Sequence, residues 1–92
     1  MAAPHATQTK VTVTFPLVPG KPFSATEPSD TTIGAVRSAA MEYFRVDEDP
    51  GSRYYLTQGQ AGEELADGAT IGQVADHAHA VKLTLVKELI QG

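Results

Sequence analysis

The sequence predicts an α+β roll, in which a mixed sheet of four to five strands packs on one amphipathic helix. Segments near both ends of the chain alternate apolar and polar residues with a period of two, as half-buried strands do. A central segment instead carries apolar residues at helical spacing. The 92 residues allow one domain with a single modest core. Because an amphipathic helix must cover a sheet, the order of these elements indicates a roll.

The first two strands form a predicted hairpin. The first strand begins at Lys10, and its apolar residues up to Phe15 fall at alternate positions. Residues 18–21 contain Pro followed by Gly, the order that suits a type II turn. The second strand spans residues 22–27 and ends at Pro28, which has no N–H to donate to a neighbouring strand.

The amphipathic helix follows directly. Residues 29–31 supply side-chain oxygens that can cap a helix start. The apolar residues after them recur at helical spacing and form one stripe that can lie on a sheet. They are Ile33, Val36, Ala40, Met41 and Phe44. Residues 47–52, which contain a Pro-Gly pair, end the helix in a loop.

The second half of the chain completes the predicted sheet. Residues 53–57 are rich in aromatic and β-branched side chains and indicate a third strand, and residues 63–65 indicate a very short fourth one. Residues 70–74 are typical of one helical turn capped by Thr70. Alternation returns over residues 81–89, which predicts a last strand with one buried side.

The domain organisation follows from the limits of these patterns. Residues 1–9 show no periodicity, and we expect them to form a flexible amino-terminal tail. The domain is expected to span residues 10–87. Residues 88–92 are then a flexible carboxyl-terminal tail.

Composition excludes several functional classes. Seven Lys and Arg against eleven Asp and Glu give a net charge of −4, so the basic surface that nucleic acids or anionic membranes require is missing. The absence of cysteine excludes disulfides and thiolate nucleophiles. The chain shows no secretory signal and no apolar run of membrane-spanning length. We therefore expect a monomeric cytoplasmic protein that binds neither nucleic acid nor membrane.

The residues give no indication of catalysis or of a metal site. No nucleophile with its base and no Gly-rich phosphate loop occur in a suitable pattern, so we expect no enzyme activity and no cofactor. His77 and His79 are two potential zinc ligands without a third nearby. Residues 47–49 gather three carboxylates but lack the glycine and closing Glu of an EF-hand loop. Neither group predicts a metal centre.

Four segments resemble the ubiquitin family, in the order that the family has them. Residues 27–31, Glu-Pro-Ser-Asp-Thr, resemble the connection between its first hairpin and its helix, and residues 32–36 resemble its helix start. Residues 62–71 are similar to its short fourth strand and the turn after it, and residues 81–86 to its last strand. The resemblance implies a ubiquitin-like β-grasp roll from Val11 onward, in agreement with the elements predicted from periodicity.

The resemblance also implies a protein modifier. In that family an E1-like activating enzyme uses ATP to activate the carboxyl-terminal glycine, which is finally joined to an amine through an isopeptide bond, and Gly92 is the matching position. The further partners implied are an E2-like enzyme, a deconjugating protease and target proteins. Leu89, Ile90 and Gln91 would be the recognised tail residues. Because Gln91 stands where ubiquitin has glycine and arginines are missing from the tail, the activating enzyme must be a dedicated one, and the chain resembles a bacterial ubiquitin-like modifier.

The family also has a partner-binding surface on the exposed face of its sheet. The matching positions are Val86 and Tyr55, with Tyr54 as the alternative outward residue of its strand. Two other functions stay open on this fold. One is a non-covalent protein-interaction module that uses only this surface. The other is a sulfur carrier with a thiocarboxylate at Gly92, although sulfur carriers are similar to each other in ending with two glycines.

Overall fold

The computed structural model describes residues 8–18, 20–59, 62–76 and 78–90. Its strands and helices are β1 (Gln8–Thr14), β2 (Phe23–Pro28), α1 (Ile33–Phe44), β3 (Ser52–Gln58), α2 (Ile71–Val74) and β4 (Ala80–Leu89). None of the helices in this part of the chain is long and apolar enough to cross a membrane.

The described strands form one mixed sheet in the order β2-β1-β4-β3. β1 pairs with β2 as an antiparallel hairpin, and β3 pairs antiparallel with β4. β1 and β4 lie parallel at the centre of the sheet. The predicted α+β class and the mixed sheet under one amphipathic helix are therefore confirmed.

β1 begins two residues before its predicted start. Thr9 pairs with Glu27 across the hairpin and is fully buried. Its hydroxyl lies 2.8 Å from the hydroxyl of Ser29, and this hydrogen bond offsets the cost of burying a polar side chain. Thr9 continues the inward alternation of the strand, but its polarity conceals that role in the sequence. Gln8 and Thr9, which the sequence places in the amino-terminal tail, thus belong to β1.

The helix start is also displaced from its prediction. Thr32 is the N-cap of α1, and its hydroxyl accepts a hydrogen bond from the N–H of Ala35 at 3.2 Å. The predicted cap at residues 29–31 is wrong by one residue, and this segment instead contacts α2, whose Ile71 and Gly72 N–H groups donate to the carbonyls of Thr31 and Ser29. Arg45 adopts a left-handed φ of 59° and ends the helix.

The predicted apolar stripe of α1 packs on the inward face of the sheet. Its members are the buried Ile33, Val36 and Ala40 and the partly buried Met41 and Phe44. The sheet contributes the buried residues Val11, Val13, Tyr54, Leu56, Val81, Leu83 and Leu85. Phe15 closes one end of this core, with its ring centroid 5.4 Å from that of Phe44 and 6.0 Å from that of Tyr54.

The predicted fourth strand at residues 63–65 is reduced to a single bridge. Thr57 and Glu64 form an isolated bridge, and the N–H of Leu65 donates to the carbonyl of Leu56 at 2.8 Å. This prediction is wrong in extent, because one bridge does not continue into a ladder. Leu65 nevertheless packs against the core, as its apolar character indicates.

Backbone hydrogen bonds join the connection before α2 to the start of α1. The N–H of Ile33 donates to the carbonyl of Ala69 at 2.7 Å, and the N–H of Gly34 donates to the carbonyl of Asp67 at 3.0 Å. These bonds satisfy two of the N–H groups that a helix start leaves free. Thr70 caps α2 as predicted and forms a reciprocal capping box with Gln73.

Candidate functional site

The solvent face of β3 and β4 carries the two residues predicted to bind partners. Tyr55 and Val86 are direct cross-strand partners, and both are half-buried. They alternate with Tyr54 and Leu85, which face the core. Side chains directly opposite each other on one face of an antiparallel pair lie within contact distance. The structure therefore brings Tyr55 and Val86 together.

Tyr54 is not the outward residue of β3. Its side chain is 6% exposed and packs against Phe15 inside the core. Its backbone carbonyl accepts a hydrogen bond from the guanidinium of Arg37 at 3.3 Å. The strand register thus resolves the alternative between the two tyrosines in favour of Tyr55.

An exposed leucine beside this pair is missing from the sequence prediction. Leu17 lies in the loop after β1, its surface is 65% exposed, and it lines an open groove next to Val86. The other residues of the groove are Pro16, Thr84, Leu85 and Lys87. The available signal was two adjacent apolar residues, Leu17 and Val18, where the first strand passes into the predicted turn at residues 18–21 and polar residues are usual. We call Leu17, Tyr55 and Val86 the sheet-face patch.

A charged cluster borders the sheet-face patch. The guanidinium of Arg53 lies 5.0 Å from the ring centroid of Tyr55, within the range of a cation–π contact. It forms ion pairs with Glu64 and with Glu88, the latter at 2.8 Å. The hydrogen bonds to Glu64 and then to Glu88 raise the pKa of Arg53 above its ordinary value. Arg53 therefore contacts both the patch and the end of β4.

The last strand ends at Leu89, as its alternation predicts, and it includes the first two residues of the predicted carboxyl-terminal tail. β4 runs through Leu89, so Glu88 and Leu89 oppose Arg53 and Ser52 across the sheet. The N–H of Ile90 then donates to the carbonyl of Gly51 at 2.9 Å. Ordered structure thus continues beyond the predicted domain limit at residue 87.

The predicted tail residues are only partly described by the structure. Leu89 is 69% exposed and Ile90 is 46% exposed, so both present apolar surface to solvent. Gln91 and Gly92 lie outside the described residues. Their predicted roles in recognition and conjugation stay predictions.

The structure describes only some of the residues considered as metal ligands. His79 is exposed directly before β4, and His77 lies outside the described residues. Within residues 8–18, 20–59, 62–76 and 78–90, no group of three or more His, Cys, Asp or Glu side chains is placed to hold a metal ion.

Comparison with solved structures identifies the fold. The chain superposes on the ubiquitin of Caldiarchaeum subterraneum with a TM-score of 0.70 and 22% identity, covering 92% of this chain and 99% of that one. It superposes on the ATG8 of Trypanosoma brucei with a TM-score of 0.68 and 14% identity, covering 96% and 79% of the two chains. The fold is a ubiquitin-like β-grasp. The sequence matches no protein-family model and no curated protein.

At such low sequence identity, the superpositions establish the fold alone. The activity must be argued from the surfaces of the chain. In this ubiquitin-like β-grasp, β4 contributes Val86 to the sheet-face patch and ends at Leu89, three residues before Gly92. Arg53 contacts both Tyr55 and Glu88, so the patch and Glu88 lie on the same face of β3 and β4. Leu89 lies opposite Ser52 and belongs to the other face of the strand.

Proposed function

We propose that the chain is a ubiquitin-like protein modifier, activated at Gly92 by an ATP-dependent E1-like enzyme and conjugated to amines. The observation that carries the proposal is the match in extent to a ubiquitin, since the described fold covers 99% of the archaeal chain. The chain is then a substrate of a conjugation system and contributes no catalytic group of its own.

The proposed chemistry needs only a free carboxylate at Gly92. Its oxygen attacks the α-phosphate of ATP and releases pyrophosphate, which leaves a glycyl adenylate. A cysteine thiolate of the activating enzyme then attacks the glycyl carbonyl and expels AMP, forming a thioester. An amine of the target finally attacks the thioester and returns the thiolate. Glycine suits this position because it has no Cβ to obstruct a narrow channel.

The exposed apolar side chains at the end of β4 indicate the kind of enzyme required. Leu89 and Ile90 expose 69% and 46% of their surface and precede Gln91, where ubiquitin has glycine. A matching enzyme channel would offer apolar contacts to Leu89 and Ile90 and room for an amide side chain. We infer a dedicated E1-like enzyme and not one that also activates ubiquitin.

The sheet-face patch supports a second candidate, a non-covalent protein-interaction module. Tyr55 and Val86 lie side by side, and Leu17 adds exposed apolar surface next to them. An apolar cluster with a polar rim is typical of protein-binding surfaces. The rim here consists of Arg53 and its two carboxylate partners. Both candidate functions use this surface, but only the modifier requires Gly92.

An ATP-dependent thioester assay separates the two candidates. The intact chain and a chain lacking Gly92 are incubated with the activating enzyme from the same source, and a matched variant Val86→Asp is run beside them. If the chain is a modifier, the intact chain forms an adduct that dithiothreitol cleaves. The chain that lacks Gly92 forms no such adduct. Absence of this adduct, with an enzyme shown to be active, contradicts the modifier. In that case, a protein that binds the intact chain but not Val86→Asp would support the interaction module.

A further inference from the structure

We propose that Arg53 and the backbone carbonyl of Gly51 form a clasp that holds residues 88–90 on β3 and limits how far Gly92 can reach from the domain. This inference rests on the proposed function, because the reach of Gly92 matters only if an enzyme must bind the tail. The clasp itself is defined by contacts of the described residues and can be tested without an activating enzyme.

Two contacts at the end of β4 define the clasp. The guanidinium of Arg53 donates to the carboxylate of Glu88 at 2.8 Å, and the N–H of Ile90 donates to the carbonyl of Gly51 at 2.9 Å. The first contact joins two outward side chains directly opposite each other, and the second adds a backbone hydrogen bond just beyond the strand. Residues 88–90 are therefore bound to β3 by the last two pairs of the strand, to which the clasp adds a side-chain contact and a main-chain contact.

Glu64 is the second carboxylate partner of Arg53 and lies outside the tail. Its carboxylate pairs with the second terminal nitrogen of Arg53, so the guanidinium lies between one carboxylate on the tail and one outside it. The side chain of Arg53 is 35% exposed, against 47% for Glu64 and 50% for Glu88. Such partly exposed pairs are weak, so the clasp can open readily.

The reach of the chain explains why opening matters. With Ile90 held at Gly51, Gly92 is two residues away, and an extended chain of two residues spans at most about 7 Å. When residues 88–90 detach, the five residues from Glu88 to Gly92 span about 17 Å. An enzyme that takes an extended tail into a channel must therefore bind the opened form, and it selects the fraction of molecules that is open.

The test compares two neutralising substitutions at the same arginine. Glu88→Gln removes the carboxylate that lies on the tail, and Glu64→Gln is the matched control that removes the carboxylate outside it. The 92-residue chain is digested with carboxypeptidase Y, and mass spectrometry follows the release of Ile90 relative to the release of Gln91 in the same molecule. We expect Glu88→Gln to accelerate the relative release of Ile90 roughly two- to fivefold, with no acceleration in Glu64→Gln.

Amide hydrogen exchange of Ile90 provides the second readout. The exchange rate should rise in Glu88→Gln by the same factor, while the urea midpoint of global unfolding stays unchanged. Equal Ile90 release and equal exchange in Glu88→Gln and the unmodified chain would overturn the clasp. Equal acceleration in both variants would also overturn it, because the effect would then not depend on the tail carboxylate.

A charge exchange shows whether the pair itself is responsible. In Arg53→Glu combined with Glu88→Arg, opposite charges again face each other across the two strands, and Glu64→Gln is added so that no carboxylate lies against the one introduced at position 53. Slow release of Ile90 should then return. Failure of this rescue contradicts an ion-pair clasp. None of these experiments contains an activating enzyme, so a failed thioester assay would reject the proposed function and leave this result unaffected.

Discussion

At the scale of single residues, Asp49 organises the turn that leads into β3. Its carboxylate accepts hydrogen bonds from the N–H of Gly51 at 2.8 Å and from the hydroxyl of Ser52 at 3.0 Å. The hydroxyl of Ser52, the N–H of Gly51 and the positive charge of Lys87 lower the pKa of Asp49, the hydroxyl contributing most. The turn therefore favours the ionised carboxylate, and Gly51 is also the residue that receives the Ile90 hydrogen bond.

This shift predicts a pH dependence of stability. Because the folded-state pKa of Asp49 lies below its ordinary value of 3.8, the stabilisation is present above that value and is lost as the pH falls through the folded-state pKa. Asp49→Ala should lower the urea midpoint at pH 7, and the difference from the unmodified chain should shrink below about pH 4. Asp47→Ala, an exposed carboxylate of the same loop, is the control. A difference that stays constant down to pH 2 would refute this account.

At the scale of elements, α2 is packed against the connection between β2 and α1 with little free space. The N–H of Gly72 donates to the carbonyl of Ser29 at 2.9 Å. A Cβ built on Gly72 would lie 2.9 Å from the same carbonyl oxygen, closer than a carbon atom can approach without movement. Glycine at this position is therefore required by the contact between two backbone segments.

We expect Gly72→Ala to destabilise the domain by about 1–3 kcal/mol, because the two segments must separate to admit the methyl group. Gly68→Ala is the matched control in the same connection, since nothing lies within 4 Å of its built Cβ. That substitution should be neutral or slightly stabilising. Urea unfolding of both variants measures the difference. Equal midpoints would show that the contact at Ser29 adjusts without cost.

The sequence predicts elements better than the contacts between them. The strands and α1 follow from apolar periodicity, which depends on local spacing. The hydroxyls of Thr9 in β1 and Ser29 before α1 form a hydrogen bond with each other, and this contact joins segments twenty positions apart. The isolated bridge at Glu64 likewise depends on its partner Thr57 in β3. Both contacts join residues that belong to different segments of the chain. Periodicity within a short segment therefore cannot predict them.

The same distinction applies to the candidate site. The pairing of Tyr55 with Val86, and the choice of Tyr55 over Tyr54, required the register of β3 against β4. Val86 could be placed on the solvent face from the alternation of its own strand. Leu17 could not, because its exposure depends on how a loop crosses the end of the sheet. Arg53 could not be assigned to the tail either, since its pairing with Glu88 requires the register of β3 against β4.

At the scale of the whole molecule, the hydrophobic core and the proposed partner-binding surfaces consist of different residues. The core is formed by buried side chains between α1 and the sheet, whereas the candidate surfaces consist of exposed or half-buried ones. β4 contributes to both, since Leu85 is 1% exposed and Leu89 in the same strand is 69% exposed. A small domain with one core has a net stability of only about 5–15 kcal/mol. Loss of one buried leucine is therefore a large fraction of the total.

Three leucine-to-alanine substitutions test this separation with one chemical change. Leu85→Ala should lower the free energy of unfolding by about 2–5 kcal/mol, because it leaves a cavity in the core. Leu17→Ala and Leu89→Ala should change it by less than about 0.5 kcal/mol, since both side chains are more than half exposed. Urea unfolding measures all three. If Leu17→Ala destabilised the domain as much as Leu85→Ala, the leucine of the sheet-face patch would be a packing residue, and its conspicuous exposure would no longer argue for a partner.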